Sequence, residues 1–513
     1  MGFKNILSFA NKNSQVRHKF DVIIAGSGLG GLVSAALLSK EGMRVLVLEQ
    51  HWQFGGNLQT FKRDGYHFGT GMNYIGAMAE DQFLHRYFNY LGIIDDLNLR
   101  QLDVKAFEQI SFANDGKRYN YAQGYDNFIE NLAIEFPEKR KVIESYLKKI
   151  WEITDSFPLL HLEKFKSIVK DENYRIGGAW DYIKSLHPDK RFRNVLGAAN
   201  ILYGGDKVKT PFYVHALVNR QFIESAWRFV DGSQQLADAL VNKIRAQGGE
   251  LHNNSEVCKI NFQDNESVSV ETLSGEKFFA KKIISNIHPA VTLKLIDDTR
   301  LKKVYRKRIN NLSDTNGMFS VYFILKKNSF QYIPRNIYHF AAQDVWHNDA
   351  NPWPQHFYFY TPASSQNPEW VSHATALSPM SFGDVKKWEN TFVENRGQEY
   401  LDFKREKAEQ LIDLVEKRIP GFRSKILKYY TSTPLSYRDY TGTRNGSSYG
   451  VLKDHENPYS TIVLPRTAIP NLFFTGQNMN MHGALGVTAG AILTVGELIG
   501  LEYLTTKIYD TIR

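Results

Sequence analysis

A single cysteine, Cys258, stands among the 513 residues. One thiol cannot build a disulfide framework, a thiolate zinc site or a cysteine-held iron–sulfur cluster. It fits a reducing compartment, so a cytoplasmic protein is expected. Long apolar runs are missing as well. Mean hydropathy is −0.38, whereas a polytopic membrane protein scores well above zero. The opening MGFKNILSFANKNSQVRHKF is too interrupted to form the core of an export signal. Gly2 invites acylation, but Ile6 occupies the place of the required Ser or Thr. Residues 473–496 carry no formal charge, yet Gln477, Asn478, Asn480 and His482 break the run and five glycines weaken it. A membrane-crossing helix needs about 20 predominantly apolar residues, so this stretch reads as buried.

Acids are scarce in two places. Residues 1–20 hold Lys4, Lys12, Arg17 and Lys19 without one, and residues 300–308 hold Arg300, Lys302, Lys303, Arg306, Lys307 and Arg308 without one. In the second stretch Leu301, Val304, Tyr305 and Leu312 fall at helical spacing. Such a helix either packs on its own domain with a solvated basic back or lies on an anionic membrane. Peripheral membrane contact through 300–312 is therefore one expectation. The net charge is +9, but no zinc-finger spacing, aromatic RNA-binding signature or basic recognition helix accompanies it, so no nucleic-acid partner is expected. No His, Asp or Glu cluster has metal-ligand spacing, and no metal is expected.

What is present begins at residue 20. The segment FDVIIAGSGLGGLVSAALLSKEGMRVLVLE opens with a short apolar run, as a strand covered on both faces should. Gly26, Gly28 and Gly31 follow in G-x-G-x-x-G register, then a helical pattern through Leu32, Ala35, Ala36 and Leu38 that Gly42 stops. A second strand, residues 44–48, ends in Glu49. Gly26 permits the tight turn, Gly28 lets a pyrophosphate approach the backbone, and Gly31 lets helix pack on strand. The helix N-terminus offers free N–H groups to the phosphates. Glu49 is placed to accept hydrogen bonds from ribose hydroxyls, which favours FAD or NAD over NADP. Gly26, Gly28, Gly30, Gly31 and Glu49 are thus candidate cofactor contacts.

FAD is favoured by what comes later. Gly55 and Gly56 lie just past the second strand, where the chain can pass close to a bound cofactor. Near the far end NLFFTGQNMNMHGALGVTAG predicts a strand over 472–474, a glycine-rich turn and a helix opening between Gly483 and Gly486. Gly476, Gln477, Gly483, Gly486 and Val487 are candidate contacts there, with the helix N-terminus facing a reduced flavin ring. His482 in this turn is the candidate catalytic residue, as a proton donor; the other reading has it hydrogen-bond the backbone. His67, Tyr66 and Tyr74 read as packing residues. The G-x-S-x-G match at 446–450 lacks the strand and helix of a nucleophile elbow and reads as loop. The aromatic run His356–Tyr360 reads either as an apolar tunnel wall or as a strand with one buried face.

These strings resemble the flavoprotein group that contains retinol saturase, carotenoid (prolycopene) isomerase and bacterial phytoene desaturase. The resemblance rests on the fingerprint, FGGNLQT, DGYHFGTGMNYIG, DGSQQLADALVNKIRAQGGELHNNSEVCKI, ISNIHP and TGQNMNMHGALG, and spans nearly the whole chain. It implies an α/β fold: a discontinuous, glutathione-reductase-like Rossmann domain for FAD (18–85, 229–300 and 440–513) and a mixed α+β substrate domain (86–228 and 301–439). It implies FAD-dependent chemistry on carbon–carbon double bonds of an apolar isoprenoid polyene. The electron donor stays open: a nicotinamide, NAD(P), is one candidate, but the sequence carries no second convincing fingerprint for it. It carries an adenine contact to Val257 and sets Asn57 where relatives often have Arg beside the flavin. Gly69 and Asn73 stand where the saturase branch has Asp and His, so the resemblance implies a reaction class rather than one substrate. The alternative is a non-redox prenyl-lipid carrier of the dissociation-inhibitor type, which shares this fold.

Overall fold

The computed structural model describes residues 19–161, 177–263, 267–342, 344–346 and 352–511. The N-terminal readings on Gly2, Lys4, Lys12 and Arg17 lie outside the described residues. Two seven-stranded sheets organise the rest. In the first, strand Phe20–Ala25 pairs in parallel with Val45–Leu48 on one side and Lys277–Ser285 on the other. Glu250–His252 and Leu472–Phe474 extend the parallel array at its two ends. Lys277–Ser285 is long enough to serve twice. Its last residues pair with Leu472–Phe474, while its first pair antiparallel with Ser267–Thr272, which leads on to Val257–Gln263.

Residues on the central strands are apolar on both faces because both are covered: Val22, Ile24, Val45 and Val47 face the helices, and Ile23, Leu46, Leu48 and Ile283 face a second core with Leu293, Ile309 and Val463. Helix Leu29–Lys40 is buried on every side but its last residue. Helices Gln234–Ala246 and Gly483–Ile499 pack against it. The face Leu236, Leu240 and Ile244 is fully buried, as its spacing predicts.

The second sheet runs in the order 426–432, 317–325, 373–380, 356–360, 336–340, 108–112 and 118–121. It is antiparallel except where Asn336–Phe340 lies parallel to Glu108–Phe112. Strand periodicity divides its two faces. Phe319, Val321, Phe323, Phe357 and Phe359 pack with Leu411, Ile412 and Val415 of helix Gln398–Arg418. The alternate residues Met318, Ser320, Tyr322, Tyr358 and Tyr360 face a cavity. The aromatic run 356–360 is therefore both things the sequence left open: a strand with one packed face and a cavity wall. A small three-stranded sheet, Tyr74–Gly76, Ala226–Phe229 and Leu99–Gln101, joins the halves. Among the described residues, no helix is long and apolar enough to cross a membrane.

The basic helix spans Lys303–Asn310. Its apolar stripe turns inward: Leu301, Ile309 and Leu312 join the core of the first sheet, and Tyr305 packs against it. Val304 points out, 81% exposed. Much of the basic charge is engaged locally. Arg300 pairs with Asp298, and Arg306 and Arg308 donate to backbone carbonyls.

Candidate functional site

A cavity of about 410 Å³ lies between the two sheets, within the roughly 300–1,000 Å³ usual for small-molecule sites. One end is the fingerprint turn. Gly28 caps helix Leu29–Lys40 with no side-chain partner, so the first-turn N–H groups remain open to a ligand. Ser27, between the glycines, ties the turn together. Its N–H and Oγ donate to Glu49 Oε2 at 2.8 and 2.5 Å, and its Oγ accepts from Gly55 N–H. His51 N–H donates to Glu49 Oε1. The acid is held in one orientation, 7% exposed, on the cavity wall.

The glycines are required by close approach. A Cβ on Gly30 would lie 2.7 Å from Gly476 Cα, and one on Gly28 would lie 2.8 Å from Asn286 Nδ2. Both distances are shorter than real Cβ contacts; at Gly30 the neighbour is backbone that cannot give way, and at Gly28 it is the side-chain amide of Asn286. A Cβ on Gly31 would strike the carbonyl of Gly26, which matches the helix-packing role read from its position. Asn286 was not singled out by sequence, yet its side chain reaches Gly28, Gly30 and Gly476. It follows strand Lys277–Ser285 and donates its N–H to Ala25. The signal lay in the ISNIHP string, but only the pairing of that strand with Phe20–Ala25 gives it meaning.

Of the predicted residues, Gly26, Gly28, Gly30, Glu49, Gly55, Gly56, Asn57, Val257, Gln477, Gly483 and Val487 line the cavity. Gly31, Gly476, Gly486 and His482 stand behind the wall. Gly486 lets the turn pack on the helix, since a Cβ there would lie 2.5 Å from Met481 Cβ. His482 caps helix Gly483–Ile499 through its backbone and is 6% exposed. Neither ring nitrogen has a partner, and its ring lies 5.6 Å from Tyr449. Burial, with Lys453 nearby, pushes it down to about 3; the ring is neutral at neutral pH and stores no imidazolium proton. Lys453, which sequence reasoning missed, is also buried and pushed down to about 7 by desolvation. Its ammonium donates to the carbonyls of Met479 and Asn478 in the same turn.

The other end of the cavity is walled by Ile201, Leu202, Val218, Phe222, Met318 and Leu377, with Tyr74, Tyr358 and Tyr360. The charged wall residues, Glu49 and Glu256, belong instead to the strand ends of the first sheet. Asn57 Oδ1, Asn478 Oδ1, Ser447 Oγ and Ser448 Oγ belong to wall residues, are buried and have no partner. The open N–H groups of the glycine cradle supply donors for a diphosphate, the serine hydroxyls can donate or accept, and the amide oxygens await ligand donors such as hydroxyl or ring N–H groups, so the residues fit a dinucleotide. Among the described residues, no cluster of His, Cys, Asp and Glu could hold a metal ion.

Fold and site together define an α/β dinucleotide-binding protein of the Rossmann type with a second, apolar-walled ligand chamber. The chain belongs to the flavin-containing amine oxidoreductase family, whose sequence pattern matches residues 29–494. It is 26% identical to all-trans-retinol 13,14-reductase of Rattus norvegicus, over 96% of this chain and 87% of that protein. It is 25% identical to prolycopene isomerase 2, chloroplastic, of an Oncidium hybrid cultivar, over 90% and 80%. Putrescine oxidase bound to putrescine shares the fold, with a TM-score of 0.64 at 13% identity over 94% of this chain and 99% of that one.

Proposed function

We propose that the protein is an FAD-dependent oxidoreductase acting on carbon–carbon double bonds of an isoprenoid polyene. The carrying observation is continuity: the glycine cradle with Glu49 opens directly into a chamber walled by aliphatic and aromatic side chains. The relatives named for retinol reduction and prolycopene isomerisation support this substrate class. Gly28 and Gly30, with the open N–H groups of helix Leu29–Lys40, hold the pyrophosphate, Glu49 the ribose, and Val257 the adenine side. Gly483 and Val487 face the ring through the start of helix Gly483–Ile499, whose N-terminal dipole favours negative charge. FAD, when bound, supplies two-electron exchange with the double bond. The chain's own part is to align the polyene along the apolar wall and keep water out.

The same reading assigns residues 18–85, 229–300 and 440–513 to the cofactor domain and the pieces between to the substrate domain. Neither the fold nor the relatives point to a nicotinamide donor. Peripheral attachment, if carried by 300–312, falls to the exposed Lys302, Lys303, Val304 and Lys307. Flotation with anionic but not neutral liposomes supports it; equal behaviour contradicts it. A lipid carrier of the dissociation-inhibitor type is not favoured, since it has no use for a tied Glu49 and a collision-free pyrophosphate cradle.

The test is anaerobic incubation of photoreduced protein with retinol, phytoene and a cis-carotene, with products resolved by mass and retention. A gain of two hydrogens marks a saturase, and rearrangement without mass change an isomerase. Failure of all three polyenes to react, including with oxidised protein, contradicts the proposal.

A further inference from the structure

One buried cluster joins the apolar end of the cavity to an acid. Tyr74 and Arg228 are cross-strand partners in the small sheet, and Glu108 and Asn336 are partners in the large one. The two pairs meet. Tyr74 OH donates to Glu108 Oε1 at 2.6 Å, and Arg228 donates to Asn336 Oδ1 at 2.8 Å. Tyr338 OH also donates to Glu108, at 3.1 Å, and Tyr358 OH to Asn336, at 3.1 Å. Glu108 is 1% exposed. Tyr74 and Tyr358 line the cavity, and the Tyr74 ring stacks on Phe222, also on the wall, at 4.2 Å.

A carboxyl in such surroundings is costly as an anion. Desolvation pushes Glu108 up to about 7 against the pull of its two tyrosine donors, so both protonation states are populated near neutral pH. The titratable groups facing it are Tyr74, Tyr338, Tyr358 and Tyr121, each from a different strand, and all stay phenolic at that pH. Arg228 stands beyond Asn336. Among the described wall tyrosines, Tyr74 alone bonds a carboxyl: Tyr322 meets Ser432, Tyr437 meets Ser320, and Tyr358 meets an amide.

We propose that Tyr74 gives its phenolic proton to a carbon of the polyene double bond and that Glu108 restores it. This rests on the function proposed above and supplies its proton half. With Glu108 protonated, the Tyr74 O–H turns from the carboxyl to the double bond and breaks as a C–H bond forms; the Glu108 O–H then gives its proton to the Tyr74 oxygen, and solvent reprotonates the carboxylate. The electron pair and the second hydrogen are those of the reduced flavin. Tyr74 is the catalytic residue, and Glu108 acts through it.

Tyr74→Phe and Glu108→Gln test this, because each keeps the shape. In flavin-free protein, infrared difference spectra of wild type against Glu108→Gln should show a protonated-carboxyl stretch that fades through about pH 7. In photoreduced holoprotein, Tyr74→Phe should bind polyene with unchanged affinity and lose about 10²–10⁴-fold in saturation rate. Glu108→Gln should lose the wild-type decline in rate above pH 7. Wild-type rates in Tyr74→Phe, or no titrating carboxyl band, overturn the proposal while leaving the flavin reading intact. A wild type that isomerises or desaturates polyenes but saturates none overturns the Tyr74 proposal alone; one that transforms no polyene overturns both.

Discussion

Ser27 and Glu49 carry the cofactor end at the scale of single residues. The acid's oxygens already accept from Ser27 and His51, so it is fixed before any ligand arrives and spends little on ordering. Glu49→Ala should weaken FAD binding by about 1.5–3 kcal/mol, the cost of a charged hydrogen bond, or roughly 10–150-fold. Flavin fluorescence quenching reads the affinity. Gly30→Ala meets backbone, not a flexible side chain, at Gly476. It should cost about 1–3 kcal/mol in stability and release flavin, seen as a lower thermal midpoint and a paler preparation. The fingerprint made these residues legible because turn, phosphate approach and helix packing each demand glycine at a fixed spacing. Asn286 and Lys453 were not legible: an amide after a strand and a lysine in a loop acquire meaning only from the segments that fold against them.

Single elements were readable where the pattern is local. Strand Leu472–Phe474 and the helix beginning at Gly483 lie where the apolar run and the glycines predict. The stripe of the basic helix was readable as a stripe, but its partner was not, and it packs on the first sheet. The Tyr74–Glu108 pair shows the limit most clearly. Strand Tyr74–Gly76 meets strand 108–112 only because each is docked by its own partner strand, 226–229 and 336–340 respectively, from far along the chain. No local period encodes that meeting. At this scale the turn before helix Gly483–Ile499 makes a prediction. Gly486→Ala pushes Met481 and the turn that holds Gln477 and Asn478. It should raise the flavin dissociation constant while leaving Glu49's half of the site intact, so that ADP, which lacks the ring, binds as in wild type.

For the whole molecule, buried titratable groups set the response to acid. His215 and His482 are pushed down to about 3, and His356 and His373 to about 4, chiefly by desolvation. As pH falls below 6.5 the unfolded chain takes up protons that these rings refuse, so stability falls with acid. Glu108 works against this. Between 4.5 and about 7 the folded protein holds a proton there that the unfolded chain has lost, so its contribution rises as pH falls. The thermal midpoint should therefore drop from about pH 7.5 to about pH 5, and drop more steeply in Glu108→Gln. Equal slopes would mean that Glu108 is ionised throughout.

The proposed chemistry depends on FAD occupying the cleft between helix Leu29–Lys40, Glu49 and the turn before Gly483. Titration of flavin-free protein with FAD, followed by visible absorption and isothermal calorimetry, tests it most directly. Saturable binding at one FAD per chain is expected, with a structured flavin spectrum, and that binding should be lost in Gly30→Ala. Absence of any uptake by folded wild-type protein would contradict FAD occupancy of the cleft.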